Sequence, residues 1–479
     1  MFALISGNQY MKKYFLVLLS LVKLAIFLLF IDSILVGCAN IIPPEGGPRD
    51  TIGPVLLKVT PVDSSRNFSD KRITFTFDEY IEVKDIPQNV IVSPTPLTAP
   101  NIEYKLTTVT VRLKDTLEAN TTYSINFGKS IRDINEGNPA EDLTYIFTTG
   151  TTIDSLEFSG NVLLAETGKS DSTMIAMLYK NLEDSAVVNE RPRYIAKLDG
   201  KGNFIFQNLP SGIFNLYALK DEGGSRRYLN PSQLFAFADS AIVVSPISKP
   251  VTLYAYAEKD AALTTPSVPS RGSTQEKRLR FSPNLINNEQ DLLGNFEMTF
   301  DLPIRTFDST LVRFTTDSGF VPVTNYSLKL DSTQRKLVLT HPWKENTLYN
   351  LILDKDFAAD TLGRKLLKSD TVSFKSRRTN DYGSVRIRFK NIDLTKNPVL
   401  QLTQNENVAR SFPLTSAEFS QSLILPADYE LRILFDENKN GKWDPGEFFG
   451  KHKQPERVQP IERRLNVKAS GQSDIEITL

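Results

Sequence analysis

Residues 71–149 recur at 294–376, and a second, unrelated segment recurs behind each copy. Internal repetition decides architecture before any residue does, because each repeat is a unit that folds by the same local rules. ITFTFDEYI matches FEMTFDLPI, which pairs Phe77 and Asp78 with Phe300 and Asp301. LEANTTYSINFGKSIRDINEGNP matches WKENTLYNLILDKDFAADTLGRK, pairing Tyr123 with Tyr349 and Asp133 with Asp360. LPSGIFNLYALKDE at 209–222 resembles LPADYELRILFDE at 425–437, aligning Phe214 with Tyr429, Leu216 with Leu431 and Asp221 with Asp436. The order along the chain is A, B, A, B. With 479 residues, several domains are expected in any case, since single cores stop growing at roughly 250–300 residues.

Each unit reads as β structure. Ile73-Thr-Phe75-Thr-Phe77, Val109-Thr-Val111-Arg-Leu113 and Tyr123-Ser-Ile125-Asn-Phe127 alternate apolar and polar residues with period two, the mark of half-buried antiparallel strands. No sustained helical period follows Cys38, and Gly, Pro, Asn or Asp separate the strands. The expected fold is all-β: tandem sandwiches in A-B-A-B order behind an N-terminal signal segment.

The start of the chain reads as an export address. From Met11 a short basic stretch, a long apolar run and small residues lead to Cys38, a secretory layout of 27 residues up to Gly37, with Met1 too far upstream to be its natural start. A retained transmembrane helix would hold Lys23 and Asp32 in its apolar run, each costing about 2.5–3.5 kcal/mol near a bilayer centre. Leu35-Val36-Gly37-Cys38 resembles the lipobox of bacterial lipoproteins, and lipidation would account for the only cysteine. By the same resemblance, Ala39 implies the outer membrane, with the periplasmic side and the cell surface both open. Cleavage there removes three of 56 cations and one of 56 anions, leaving 53 against 55. A near-neutral chain has no field to gather phosphates, so nucleic acid is not an expected partner.

Module A resembles the bacterial Ig-like domain of SbsA type, through Tyr123, Ile125, Phe127, then Asp133 to Gly137-Asn138, and Phe147-Thr148-Thr149. The second copy keeps Asp360 and Gly363 but loses the Asn and ends in Phe374-Lys-Ser. Module B resembles the transthyretin-like or carboxypeptidase-regulatory sandwich, through its Leu-Pro-x-Gly-x-Phe/Tyr-x-Leu hairpin. The whole is similar to Ig-like domain lipoproteins of the Bacteroidetes, which implies a fold and a compartment but no reaction. The expected division is signal peptide 1–37, lipid-anchored tether 38–54, first Ig-like domain 55–150, first transthyretin-like domain 155–257, linker 258–277, second Ig-like domain 278–379 and second transthyretin-like domain 380–479. The Pro/Ser/Thr-rich linker is the expected hinge of a rod.

Few residues invite chemistry. Asp78, Glu79, Glu82 and Asp85 form an acidic run that could serve a carboxylate hydrolase, yet period two turns Asp78 away from the core, where a solvated strand end explains it. His341 and His452 each stand in a turn without a second ligand nearby, and Gly128-Lys129-Ser130 lacks the glycine and helix a phosphate loop requires. Eleven of the 31 aspartates begin Asp-Ser/Thr-aliphatic or Asp-Ser/Thr-Thr triplets, which resemble a Bacteroidetes O-glycosylation signal and equally suit β-turns.

The sharpest signal is Asp436-Glu-Asn438-Lys-Asn440-Gly441-Lys442-Trp-Asp444-Pro-Gly-Glu447, which fits a calcium loop at all its positions. Asp436, Asn438 and Asn440 would converge, with the Lys442 carbonyl, Asp444 through a water and bidentate Glu447 completing the shell around one structural Ca²⁺. Flanking strands and only three carboxylates imply an affinity on the order of 10⁻⁴–10⁻³ M. Asp221 keeps the first position in the earlier copy, where the rest is lost and no ion is expected. The functional expectation is a non-enzymatic outer-membrane lipoprotein, held in the bilayer by lipid on Cys38 and serving as a scaffold for an envelope protein partner. Alternatives are a glycan-binding or adhesive surface protein and, behind it, the carboxylate hydrolase.

Overall fold

The computed structural model describes residues 13–26, 49–141, 143–258 and 278–479. Residues 13–26 are helical, and among the described residues no helix is long and apolar enough to cross a membrane. Cys38, its lipobox and all but the first residue of the linker lie outside the described residues.

The fold is all-β, as the alternation predicts. Along Arg72–Phe77 every second residue is buried, so Ile73, Phe75 and Phe77 enter one core while Thr74 and Thr76 face outward. This strand sits in an antiparallel sheet between Leu56–Thr60 and Thr108–Arg112, with Asn101–Lys105 at the edge. A second sheet, Ile91–Ser93, Thr122–Asn126 and Thr144–Thr148, closes the sandwich over Phe75, Phe127, Tyr145 and Phe147. Phe75 meets Phe127 and Tyr145 edge-on at 5.1 and 5.5 Å between ring centres, and burying each such ring is worth about 1.5–3 kcal/mol.

The second A copy repeats the strands of this plan and adds two short ones, Glu289–Gln290 and Val321–Pro322. Phe281–Pro283, Phe296–Phe300, Lys336–Thr340 and Ser327–Leu330 form one sheet, facing another that contains Val312–Thr316, Leu348–Leu353 and Asp370–Ser376. Even the small ribbon Ile81–Val83 with Ile131–Asp133 returns as Ile304–Phe307 with Ala358–Asp360. The aligned residues do the same work in both. The Tyr123 hydroxyl accepts the Glu118 N–H at 2.9 Å and the Tyr349 hydroxyl accepts the Lys344 N–H at 3.1 Å, each reaching five residues back to fix a corner.

Asp133 and Asp360 are both buried and fold a loop around themselves. Asp133 accepts the N–H groups of Glu136, Gly137 and Asn138; these bonds hold its carboxyl below the ordinary range although burial acts to raise it. Gly137 and Gly363 have φ of 79° and 76°, a turn geometry that favours glycine. Where the second copy lacks the Asn, Arg364 takes over, giving Asp360 its N–H at 2.9 Å and its Nε at 2.7 Å.

The B modules also match. In each, a three-stranded sheet joins the first and last strands in parallel, Leu156–Leu164 with Val251–Ala255 and Gly383–Lys390 with Gln472–Thr478. Each faces a sheet built on the aligned central strand, Gly212–Leu219 or Ala427–Phe435.

Contacts between modules depart from a simple string. The first A meets the first B through Arg193 and Glu118, bonded in parallel (Nη2 to Oε2 2.7 Å), and through the Thr95 N–H on the Arg193 carbonyl at 2.8 Å. The second A meets the second B where the Tyr382 hydroxyl donates to Asp291 at 3.0 Å and Arg410 pairs with the same carboxylate. The first B also holds the second B directly. Phe448, buried to 1% exposure, enters a cluster formed by Met177, Tyr217, Phe235, Phe237 and Tyr256. Sequence alternation cannot foresee this contact, since Phe448 lies in a loop far along the chain from its partners.

Candidate functional site

The loop from Asp436 follows the strand Ala427–Phe435 and lies beside that inter-module contact. The strand delivers Asp436 inward at 2% exposure, where its carboxylate accepts the Gly441 N–H at 2.6 Å and the Asn440 N–H at 3.2 Å. Gly441, with φ of 75°, makes the turn. The side chains of Asn438 and Asn440 both donate to Asp444 Oδ2, the latter at 2.7 Å. Asn438 and Asn440 each also fold back onto a main-chain N–H two residues ahead. Asp436, Asn438, Asn440 and Asp444 therefore form one network, linked directly or through one another.

Glu447 does not join them. Its carboxylate reaches Lys451 at 2.7 Å, and its main chain pairs with Lys453 in an isolated β-bridge. In a helical calcium loop the twelfth residue returns toward the ion; here the chain turns into a hairpin, which points that residue outward. Glu456 stands there instead. Its side chain, 2% exposed, accepts the Glu437 N–H at 2.9 Å and the Asp444 N–H at 3.0 Å. Burial, followed by the charges of Asp436 and Asp444, raises its pKa above the ordinary range.

Lys442 supplies only its main chain to the loop contacts, through its N–H on Asn440. Among the described residues, no three carboxylate, imidazole or thiol side chains stand close enough to form a metal centre on their own. A cation here would need the two Asn side chains and a main-chain carbonyl as well, the oxygen-rich mixture that Ca²⁺ accepts. In the earlier copy Asp221 makes the equivalent bond, to the Arg226 N–H at 2.8 Å, with Ser225 on its other oxygen at 3.4 Å. The loop geometry is shared, while the cluster of two Asn side chains on a second Asp occurs only in the later one.

The other residues singled out are engaged elsewhere. Asp78 accepts the Val55 N–H at 2.8 Å and Glu82 pairs with Lys84, while Glu79 is raised by burial and then by Asp133, Asp78, Asp50 and Glu136. Ser130 is buried and bonds the Phe127 carbonyl at 2.7 Å, so Gly128 to Ser130 is a tight turn. His341 bonds the Asn325 carbonyl at 2.7 Å, and exposed His452 bonds Asp184 of the first B module at 2.6 Å. In three Asp-Ser-Thr triplets, starting at Asp171, Asp308 and Asp331, the Thr hydroxyl donates to the Asp at 2.6 Å, the geometry of a turn.

A cleft of about 740 Å³ lies between the first A and first B modules, a size typical of ligand sites. Sequence reasoning could not find it, because it exists only where two modules meet. Pro94, Leu97, Leu113 and Leu117 line one side, and Tyr179, Arg191 and Arg227 the other.

The bacterial Ig-like domain family, Big_5, matches residues 50–149. No curated protein compared with the chain matches it. Among solved structures, the major pilin subunit BcpA of Bacillus cereus is similar at 10% identity, over 68% of this chain and 99% of that one, with a TM-score of 0.17. The Bacillus anthracis TIE protein is similar at 11% identity, over 91% and 75%, with a TM-score of 0.17. The N-terminal part of the bacterial S-layer protein SbsC is similar at 16% identity, over 44% and 45%, with a TM-score of 0.15. At such scores these likenesses carry no inference about this chain.

Proposed function

We propose that the chain is a non-enzymatic scaffold of the cell envelope, anchored in the outer membrane by lipid on Cys38 and engaging a protein partner through its sandwich modules. The observation that carries this is the way polar and aromatic residues are spent: they join modules to one another. Arg193 with Glu118, Asp291 with Arg410 and Tyr382, and Phe448 in its aromatic cluster all fasten one sandwich to the next. The match of residues 50–149 to a bacterial Ig-like family agrees with a surface role. The acidic run that a hydrolase would use is tied to Val55 and Lys84. Cross-linking in membranes followed by purification should recover a discrete protein partner. A chain that elutes alone under gentle detergent and turns over a polysaccharide would overturn the reading. Cys38→Ala should release the chain from washed membranes; retention there would argue for a membrane-spanning segment instead.

The loop at 436–456 binds one structural Ca²⁺ in this reading, through Asp436, Asn438, Asn440, the Lys442 carbonyl and Asp444, with Glu456 bracing the loop from behind through the Glu437 and Asp444 N–H groups. Asp436 and Glu456 are both buried, and among the described residues neither stands in an ion pair, which supports it. Trp443, whose ring N–H bonds the Glu456 carbonyl at 2.7 Å, reports on the loop. Adding 10 mM Ca²⁺ to the full chain should shift Trp fluorescence and raise the melting temperature. Asp436→Ala should abolish both effects, and no shift with the unmodified chain would sink the assignment.

A further inference from the structure

We infer that the cleft between the first A and first B modules is a docking site for an acidic, aliphatic peptide segment of a partner protein. The inference rests on the scaffold reading and adds the chemistry of the partner. Five cations line the cleft, Lys114, Lys180, Arg191, Arg193 and Arg227, against three carboxylates, Asp115, Glu118 and Glu190.

All three carboxylates are hydrogen-bonded, Glu118 to a cation and the other two to neutral donors. Asp115 accepts the Thr98 N–H at 2.8 Å, Glu118 holds Arg193, and Glu190 accepts the Asn181 amide at 2.6 Å. Of the cations, Arg193 is spent on Glu118, and Arg191 reaches only the Leu97 carbonyl, at 3.2 Å. Among the described residues no ion pair engages Lys114, Lys180 or Arg227, although Lys180 lies near enough to Glu118 to help hold that carboxyl low. Arg226, just behind Arg227, is held below the ordinary arginine range by burial, with Arg191 adding to it against Asp221. With five cations against three carboxylates the cleft keeps a net positive charge facing a ligand-sized space, and an anion is its complement.

The walls determine what carries the anion. Leu97 stands 88% exposed at the lip, with prolines and leucines below it. The aromatic rings present are closed off: Tyr179 is 1% exposed and Tyr123 7%. A sugar ring is commonly held against an open aromatic face, and none is offered here, whereas aliphatic and proline side chains of a peptide fit such walls. Charge-assisted bonds from Lys114, Lys180 and Arg227 to Asp or Glu side chains would fix the register.

The test is selection of peptides from a random 12-residue display library against the detergent-solubilised full chain, counter-selected on the K114E/K180E/R227E variant. All three positions are partly or fully exposed, and unchanged circular dichroism and melting show that the variant folds. Enriched peptides should carry at least two Asp or Glu residues beside Leu, Ile or Pro. They should bind the charge-reversed variant at least tenfold more weakly, and weaken as salt rises. Leu97→Asp should weaken them too. The inference is overturned if no peptide is enriched over the variant, if enriched peptides bind both proteins equally, or if an anionic polysaccharide such as polygalacturonate occupies the cleft where peptides do not. Cross-linking in native membranes separates the two levels. A partner recovered equally with the charge-reversed chain removes the cleft and leaves the scaffold; no partner with either chain removes the scaffold itself.

Discussion

Phe448→Ala tests whether the two B modules form one cooperative body. The ring is 1% exposed and packs on Phe235 and Phe237 at 5.1 Å and on Tyr217 at 5.6 Å between centres. Around it, the Phe448 N–H bonds Glu258 at 3.1 Å, Gln454 bonds the Phe237 carbonyl at 3.0 Å, and the Val458 N–H bonds the Ala165 carbonyl at 2.9 Å. Truncating a buried Phe costs about 3–5 kcal/mol. For a body of roughly 200 residues, each kcal/mol lowers the melting temperature by about 2–4 °C, so a fall of about 6–20 °C is expected if the modules remain docked. If docking fails first, the loss is capped at the docking free energy, and the single calorimetric transition of the pair splits in two. Either outcome is read by differential scanning calorimetry on the full chain. Phe449→Ala is the control: that ring is 42% exposed and stacks on Tyr228 at 6.1 Å, so its removal should cost about 1 kcal/mol or less. A Phe448→Ala melt within about 2 °C of the unmodified chain, with the same shape, would refute the reasoning.

Gly446→Ala should undock the same interface, because a Cβ there would meet the Tyr256 ring at 2.6 Å and the Lys453 carbonyl at 2.7 Å; calorimetry again reports it. Tyr256→Phe should be neutral or stabilising by up to about 1 kcal/mol, since its buried hydroxyl has no hydrogen-bond partner among the described residues, and a clear loss in chemical denaturation would contradict that. Glu118 is held below its ordinary 4.5 by Arg193, so the joint it supports is fully present above that value and is lost as pH falls through the lower folded pKa. Hydrogen exchange at the Thr95 amide should accelerate on acidification below about pH 4.5 relative to its intrinsic rate, and should already be fast at pH 7 in Glu118→Gln. Glu456 is raised, so the Ca²⁺ response of Trp443 should begin to weaken while the pH is still above 4.5, a dependence that isothermal titration at several pH values resolves.

Local features were legible in the sequence. The repeat located Tyr123 and Tyr349, whose corner bonds reach only five residues back, and Asp133 and Asp360, whose loops close within five. Alternation placed Phe75 and Phe77 in the core because a strand exposes its faces by parity. What remained hidden depends on distant segments meeting. Phe448 is an apolar residue in a loop, and nothing near it says that a hydrophobic pocket waits in another module. Glu456 was passed over because motif spacing presumes a helix after the loop, whereas the hairpin closed by Glu447 and Lys453 brings a residue nine positions later to the same centre.

The duplication sharpens what the later loop is for. Both B copies aim an aspartate at the main chain five residues on, Asp221 to Arg226 and Asp436 to Gly441, so neither needs a cation to form its turn. In the earlier copy the chain returns from this loop through Tyr228 and Phe235, which belong to the aromatic pocket. In the later copy it runs on through Trp443 to Phe448, which fills that pocket. The two equivalent loops thus lie on opposite sides of one interface, one lining the socket and the other carrying the plug. An ion held by Asp436, Asn438, Asn440 and Asp444 would stiffen the segment leading to Phe448, and through the Asp444 N–H it would also steady Glu456, which closes the loop from beyond the plug. Ca²⁺ should therefore raise the docking transition of the unmodified chain and leave that of Phe448→Ala nearly unchanged, even though the substitution touches no proposed ligand. Equal stabilisation of both proteins by Ca²⁺ would separate the ion from the interface.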